Sequence, residues 1–217
     1  LYLNASAKVG ATIADDIQQS ALWSAMLALI FIFTYILVRF RKWQFSIGAI
    51  AALFHDVLIV LGIFSLLRGM TTFSLEIDQT FIAAILTIIG YSINDTVIVY
   101  DRIREEATKN TAGNIKDIVN IAINNTLSRT SITSMTTFLV VLILFLFGGA
   151  GVSGFAFALV VGLIVGTYSS IFIASPIVVD TTKDVSVLKY EEEEDDEFTN
   201  NEDGEELVED ATDETKA

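Results

Sequence analysis

The stretch GYSINDTVIVYDRIRE, Gly90 to Glu105, sets one carboxylate, Asp95, and its neighbour Asn94 inside an otherwise apolar run. From Thr80 through Tyr100 no other side chain is charged, and at 1.5 Å rise per residue the run is long enough to cross a bilayer. Asp95 is therefore expected at membrane depth. There a carboxylate costs roughly 2.5–3.5 kcal/mol on insertion scales, so it reads as functional, facing a partner helix or a water-filled path. The competing reading is a hydrogen-bonded Asp that joins helices as structural glue. Asp95 lies seven residues before Arg102, about 10 Å from the charged end of its span. Thr87, Tyr91, Val99 and Arg102 share roughly its face, and Arg102 and Glu106 are spaced to pair one turn apart.

Composition agrees with a membrane protein. The chain is 53% hydrophobic with one proline, and its mean hydropathy is +0.58. It carries 27 acidic and 13 basic residues, a net charge of -14, but 15 of the acids fall between Glu191 and Glu214. The body is thus neutral, and residues 181–217 form an acidic tail, expected to be solvated and mostly disordered from Lys189 onward. No cysteine is present, which excludes disulfides, thiolate metal sites and cysteine nucleophiles.

Toward the N-terminus, the preceding span, about 45–67, holds a second polar pair at mid-depth. Asp56 lies 14 residues from Lys42 and 12 from Arg68, about 20 Å from either. His55 is the single histidine. Together they form a possible secondary proton relay, since His titrates near neutrality, although adjacent helix residues point about 100° apart and need not bond each other. Helix–helix hydrogen bonding is the alternative. The first span, about 21–38, ends at the basic and aromatic cluster Arg39-Phe40-Arg41-Lys42-Trp43. Residues 1–20 are polar, lack an initiator Met and a basic leader, and read as the end of an extracytoplasmic region. A short helix around Val9 to Ile17 is expected to feed the first span.

Toward the C-terminus, Asn114 is a plausible N-cap with Asp117 in the first turn. Ile115, Ile118, Val119 and Ala122 then recur at helical spacing, which predicts an amphipathic helix, about 114–128, on the cytoplasmic membrane surface. The fourth span, about 131–147, is rich in hydroxyls at Thr130, Ser131, Thr133, Ser134, Thr136 and Thr137. Arg129 stands where it enters the bilayer and on its own reads as a side chain that snorkels to lipid phosphates. The fifth span, about 152–179, follows a glycine turn and repeats small residues every fourth position: Gly154, Ala158, Gly162, Gly166, Ser170, Ala174. Such a ridge lets another helix pack closely along its length. Pro176 falls near its end, where a lost backbone donor is tolerated.

Three bases follow the first span, five lie between Arg102 and Arg129, and two follow the last, while Lys8 and Arg68 fall on the other side. The positive-inside rule gives five spans with the N-terminus outside and the C-terminus cytoplasmic. An upstream span with an extracytoplasmic domain is therefore expected before Leu1. The fold class is all-α, a polytopic membrane helix bundle of five spans plus the surface helix.

These residues resemble the SecF family of protein-export membrane subunits. The likeness rests on GYSINDTVIVYDRIRE, on Val9-Gly10, on Ala52-Leu53-Phe54-His55-Asp56-Val57, and on the ten residues from Asn125 to Ser134, NTLSRTSITS. It covers about residues 8 to 180. The family pattern often has Phe where Tyr100 stands and Pro where Ala11 stands, and neither departure touches a charged position. The resemblance implies membership of the resistance-nodulation-division superfamily, with this chain as half of a pseudo-symmetric bundle paired with SecD, separate or fused. It also implies a bacterial cytoplasmic (inner) membrane protein, an auxiliary of the SecYEG translocon that uses the proton-motive force to promote late preprotein export. Asp95 then becomes the proton carrier and Arg129 the base that modulates it; Asn94, beside Asp95 in the same polar step, is taken as the third member of the proton relay. A carboxyl that moves between a desolvated site and one beside a guanidinium changes its proton affinity, and so can load and release a proton.

No cofactor is implied beyond the coupling ion, H⁺ or else Na⁺, and no nucleic-acid partner; the partners are SecD, the translocon, preproteins and the lipid bilayer. An exporter of lipids or small molecules from the same superfamily is the alternative. Enzymatic activity is not expected, because one His and no Cys leave little from which to build a nucleophile–base pair or a metal site. A structural scaffold would tolerate Asp95→Asn, which keeps size and hydrogen bonding but removes titration.

Overall fold

The computed structural model describes residues 11–110 and 113–188. The stretch at residues 1–10 and the acidic run from 189 lie outside them. Among the described residues every regular element is helical, and five helices are long and apolar enough to cross a membrane. They are α1 (Ala11–Phe40), α2 (Trp43–Leu67), α3 (Gln79–Lys109), α4 (Ile115–Phe147) and α5 (Ala150–Ser169); α5 continues through a π-helical turn, Ser170–Ala174, into α6 (Ser175–Thr181).

The breaks follow local chemistry. Asp78 caps α3 by accepting from the Phe81 amide at 2.9 Å, and Asn114 caps α4 by accepting from the Lys116 amide at 3.1 Å. Between α4 and α5, Gly149 takes φ 75°, a left-handed conformation that glycine adopts without steric cost. The π-helical turn ends just before Pro176, which offers no amide hydrogen to the preceding turn.

Two elements differ from the sequence pattern. The stretch 114–128 is helical, but it is not a separate surface helix: α4 runs unbroken from Ile115 to Phe147. No glycine or proline interrupts those 33 residues, and at 1.5 Å each they reach about 50 Å, beyond a hydrocarbon core of about 30 Å. Its apolar stripe, Ile118, Val119 and Ala122, is buried against Val99, Tyr100 and Ile103 of the bundle rather than lying on lipid. Second, residues 181–188 are not all solvated tail. Val185–Leu188 forms a 3₁₀ turn, and its apolar pair at i, i+3 tucks Val185 and Leu188 into the same cluster.

The interior is layered along the bundle. One apolar cluster, near the Arg39 and Arg102 end, gathers Phe40, Phe45, Tyr100, Ile103, Ile118 and Leu188. Within it the Phe40, Phe45 and Tyr100 rings pack with centroids 4.8–5.7 Å apart. A second, near the Gly148 end, gathers Val60, Phe64, Phe81, Ile88, Leu159 and Leu163. Between them lies a buried polar layer: Asp56 of α2, Ser92, Asp95 and Thr96 of α3, Ser134 of α4, and Ser169 and Ser170 of the last helix.

Helix α5 makes that layer possible. It packs against α2, α3 and α4, and its small-residue ridge brings backbones close. A Cβ on Gly162 would collide with the Ile88 side chain; one on Gly166 would lie 3.1 Å from Ser92 Cβ, and one on Gly154 2.7 Å from the Ser74 carbonyl oxygen. With lipid tails as apolar as leucine, this contact and interhelical hydrogen bonds hold the helices together.

Candidate functional site

The two mid-span carboxylates are both fully buried, yet they are built differently. Asp56 is partnered on every side. Its Oδ2 accepts from Ser92 Oγ at 2.7 Å and from Ser169 Oγ at 2.9 Å. Its Oδ1 lies 3.2 Å from His55 Nδ1, so the adjacent pair does bond, with the half-buried ring reaching around the helix. The imidazole also lies beside Tyr168, with ring centroids 6.4 Å apart. Asp56 thereby joins α2, α3 and α5 at one level, as a hydrogen-bonded clip.

Asp95 is only half partnered. Its Oδ2 accepts from Ser134 Oγ of α4 at 3.1 Å, while Oδ1 is buried with no hydrogen-bond partner. Thr130 Oγ1, one turn before Ser134 on α4, is likewise buried and unpartnered. One turn away in the other direction, Tyr91 OH bonds the Thr133 carbonyl at 2.9 Å and Thr137 Oγ1 at 3.0 Å, clipping α3 to α4. A buried oxygen without a donor is a high-energy arrangement that structural carboxylates avoid.

Next to it, Thr96 Oγ1 meets Ser170 Oγ at 2.8 Å, at the start of the π-helical turn. Tyr100 OH donates to the Ala174 carbonyl at its end, at 3.4 Å. The turn's irregular backbone therefore faces the polar and aromatic side of α3.

Arg129 and Asn94 are not drawn to Asp95. Among the described residues no ion pair joins Arg129 to any carboxylate; its exposed side chain lines a cavity of about 680 Å³ between α3 and α4, with Ile98, Asp101, Arg102, Glu105 and Asn125. Asn94 is exposed, on the same helical stripe as Ile98, Asp101 and Glu105, and takes no part in the hydrogen bonding of Asp95. Of the residues sharing its helical face, Tyr91 and Val99 pack inward, whereas Thr87 is exposed and bonds its own helix. The cavity's other charges are tied in pairs. Arg39 meets Asp101 at 3.1 Å, and Arg102 meets Glu105 at 2.5 Å and Glu106 at 2.8 Å. Among the described residues no three His, Cys, Asp or Glu side chains gather closely enough to hold a metal ion.

Sequence reasoning missed Ser92 and Ser169, the partners of Asp56, and Thr167, which donates to Ser134 Oγ at 2.8 Å. It noted Ser134 only as one of six hydroxyls, and Ser170 only as part of the small-residue ridge.

A bundle of five apolar helices, with two carboxylates sunk in a polar layer between apolar clusters, is a multi-pass membrane protein with an ionisable interior. Residues 2–184 match the family described as protein export membrane protein SecD/SecF, C-terminal, and the chain belongs to that family. It is 60% identical over 172 residues to the protein translocase subunit SecF of Rhodothermus marinus, covering 79% of this chain and 56% of that one. It is 48% identical over 170 residues to the SecF of Petrotoga mobilis, covering 78% and 54%. Against the SecDF subunit of Brucella abortus it is 45% identical over 171 residues, covering 79% of this chain and 22% of the relative. A crystal structure of SecDF in a super-membrane-facing form superposes with a TM-score of 0.69 at 38% identity, over 93% of this chain and 24% of that one. The chain thus spans about half the length of the SecF relatives it matches.

Proposed function

We propose that this chain is membrane machinery of an auxiliary subunit of the Sec protein translocase, working with SecD and the translocon to draw preproteins across the membrane. Asp95 carries the proton that couples the work to the proton-motive force. The observation that carries this reading is the asymmetry of the two buried carboxylates: Asp56 has donors on both oxygens, whereas Asp95, in the same buried polar layer, keeps one oxygen unpartnered. The relatives' names as translocase subunits support the export role over export of lipids or small molecules. Arg129 acts from the cavity between α3 and α4 as the base whose approach or withdrawal changes the proton affinity of Asp95. The basic clusters at Arg39 to Lys42 and Arg102 to Arg129 support a cytoplasmic placement of that end and of the C-terminus. Each charge that crosses is worth about 2.3 kcal/mol per 100 mV.

The test is a preprotein export assay in cells whose single copy is the full-length parent carrying Asp95→Asn, with membrane level checked by blot. Export is expected to collapse at normal protein level. Unchanged export would make Asp95 a structural hydrogen-bonder and remove it from the coupling path. Repeating the wild-type assay with the proton gradient dissipated and a sodium gradient kept distinguishes H⁺ from Na⁺, and loss of export is expected.

A further inference from the structure

The partnered oxygen of Asp95 sits at the end of a chain of hydroxyls that crosses two helices. Ser134 Oγ of α4 lies 3.1 Å from Asp95 Oδ2, Thr167 Oγ1 of α5 lies 2.8 Å from Ser134 Oγ, and the Leu163 carbonyl oxygen lies 2.9 Å from Thr167 Oγ1. Each hydroxyl owns a single hydrogen, so the chain points one way at a time. With Asp95 ionised, Thr167 donates to Ser134 and Ser134 donates to Oδ2. With Asp95 protonated on Oδ2, that O–H donates to Ser134, Ser134 donates to Thr167, and Thr167 donates to the Leu163 carbonyl. Every hydrogen has an acceptor in both directions.

The Asp56 clip is arranged differently, with no run of hydroxyls among the described residues leading away from it to another helix. Ser169 has a second acceptor in the Gly166 carbonyl at 3.1 Å, but among the described residues Ser92 Oγ has none besides Asp56. Protonated on Oδ2, Asp56 can donate only toward Ser169, which then turns its hydrogen to the Gly166 carbonyl, while Ser92 stays a fixed donor to the same oxygen.

We propose that Ser134 and Thr167, ending on the Leu163 carbonyl, form a reversible hydroxyl chain that holds Asp95 in both of its protonation states. Ser134 and Thr167 are positioning residues in this scheme, and the proposal rests on the reading of Asp95 as proton carrier. The chain also reaches the edge of the bundle: Ser134 and Thr167, with Ser131, are the polar lining of a cavity of about 330 Å³ between α4 and α5, otherwise walled by Met135, Phe138, Leu163 and Ile164. This cavity is separate from the one that Arg129 lines.

Few charges compete for the chain. Within two turns of Ser134 the one ionisable side chain on α4 is Arg129, in the other cavity. On α5 there is Tyr168 alone, and its ring lies beside His55 of α2. Asp56 of α2 is taken by Ser92, Ser169 and His55.

The test uses the full-length parent with its partner, in cells and in membrane vesicles. Ser134→Ala removes the link, Ser134→Thr restores the hydroxyl, and Thr167→Val cuts the chain one step further out. A hydrogen bond to a charged group is worth enough that Ser134→Ala is expected to reduce proton-coupled export roughly 10-fold or more at normal membrane level, and Thr167→Val several-fold. Ser134→Thr should restore most of it. A structural role alone would not move the infrared carbonyl band of protonated Asp95, identified as the band that Asp95→Asn abolishes. That band should shift in Ser134→Ala, because the acid loses its acceptor, and return in Ser134→Thr. If Ser134→Ala fails to accumulate, Thr167→Val and Ser134→Thr carry the same two readouts. Wild-type export and an unmoved band in Thr167→Val and Ser134→Ala, with Asp95→Asn inactive, overturn the hydroxyl chain and leave Asp95 as carrier. A silent Asp95→Asn removes both.

Discussion

Asp56 provides the sharpest separation of a clip from a proton site. In Asp56→Asn the amide oxygen can take the place of Oδ2, keeping the Ser92 donor at 2.7 Å and the Ser169 donor at 2.9 Å. The amide nitrogen then stands where Oδ1 lies 3.2 Å from His55 Nδ1, and donates to it once the ring carries its hydrogen on Nε2. All three contacts survive. What is lost is charge assistance, and what is regained is the desolvation cost of an ion, so stability should change by about 1 kcal/mol or less. Asp56→Ala is different. It strands the Ser92 hydroxyl, whereas Ser169 can fall back on the Gly166 carbonyl at 3.1 Å. One stranded buried hydroxyl plus the void left by the carboxyl gives a loss of roughly 2–4 kcal/mol. The assay is thermal unfolding of the detergent-solubilised full-length protein, run beside preprotein export in cells. The expected order is wild type, then Asp56→Asn close behind, then Asp56→Ala well below, with export following stability. Collapsed export in an Asp56→Asn protein of normal level and melting point would refute the reasoning, because it would show that titration of Asp56 is used.

Three further outcomes follow from packing. Gly162→Leu drives a side chain into Ile88 at the heart of the second apolar cluster, and such overpacking should cost roughly 1–3 kcal/mol in the same melting assay. Leu188→Ala, at a fully buried position of the C-terminal 3₁₀ turn, should lose about 2–5 kcal/mol and expose the peptide after α6 to limited proteolysis; an unchanged digest would show that the turn is not docked. Arg39→Gln breaks the ion pair with Asp101, but those side chains are 43% and 35% exposed, so the melting point should move by less than the equivalent of about 1 kcal/mol and less still at high salt.

What could be read from the chain alone was whatever a single helix decides for itself. Asp95 and Asp56 announce themselves because a charge in an apolar run is costly wherever the helix packs. The ridge from Gly154 to Ala174 shows because its period places every member on one side of one helix. The caps at Asp78 and Asn114 lie within three residues of the amides they serve. The unbroken α4 was legible in principle, since nothing between Ile115 and Phe147 ends a helix; its amphipathic first half suggested a membrane surface only because the stripe's true partner, Tyr100 and its neighbours, lies on another helix.

Relations between helices were not legible, and the site is made of them. Ser131, Thr133, Ser134 and Thr136 spread around the full circumference of α4 at 100° per residue, so composition cannot tell which one meets Asp95; the rotation of α4 against α3 decides it, and that rotation is fixed by contacts such as Tyr91 with Thr133 and Thr137. The same holds on α5. Gly162 and Gly166 turn the ridge toward Ile88 and Ser92 of α3, and Thr167, one residue on and about 100° around, is thereby carried toward α4 and onto Ser134. A bulkier residue at Gly162 or Gly166 would push α5 away from α3, and Thr167 would leave Ser134 with it. The glycines that look like packing alone therefore also set the hydrogen-bond geometry around Asp95.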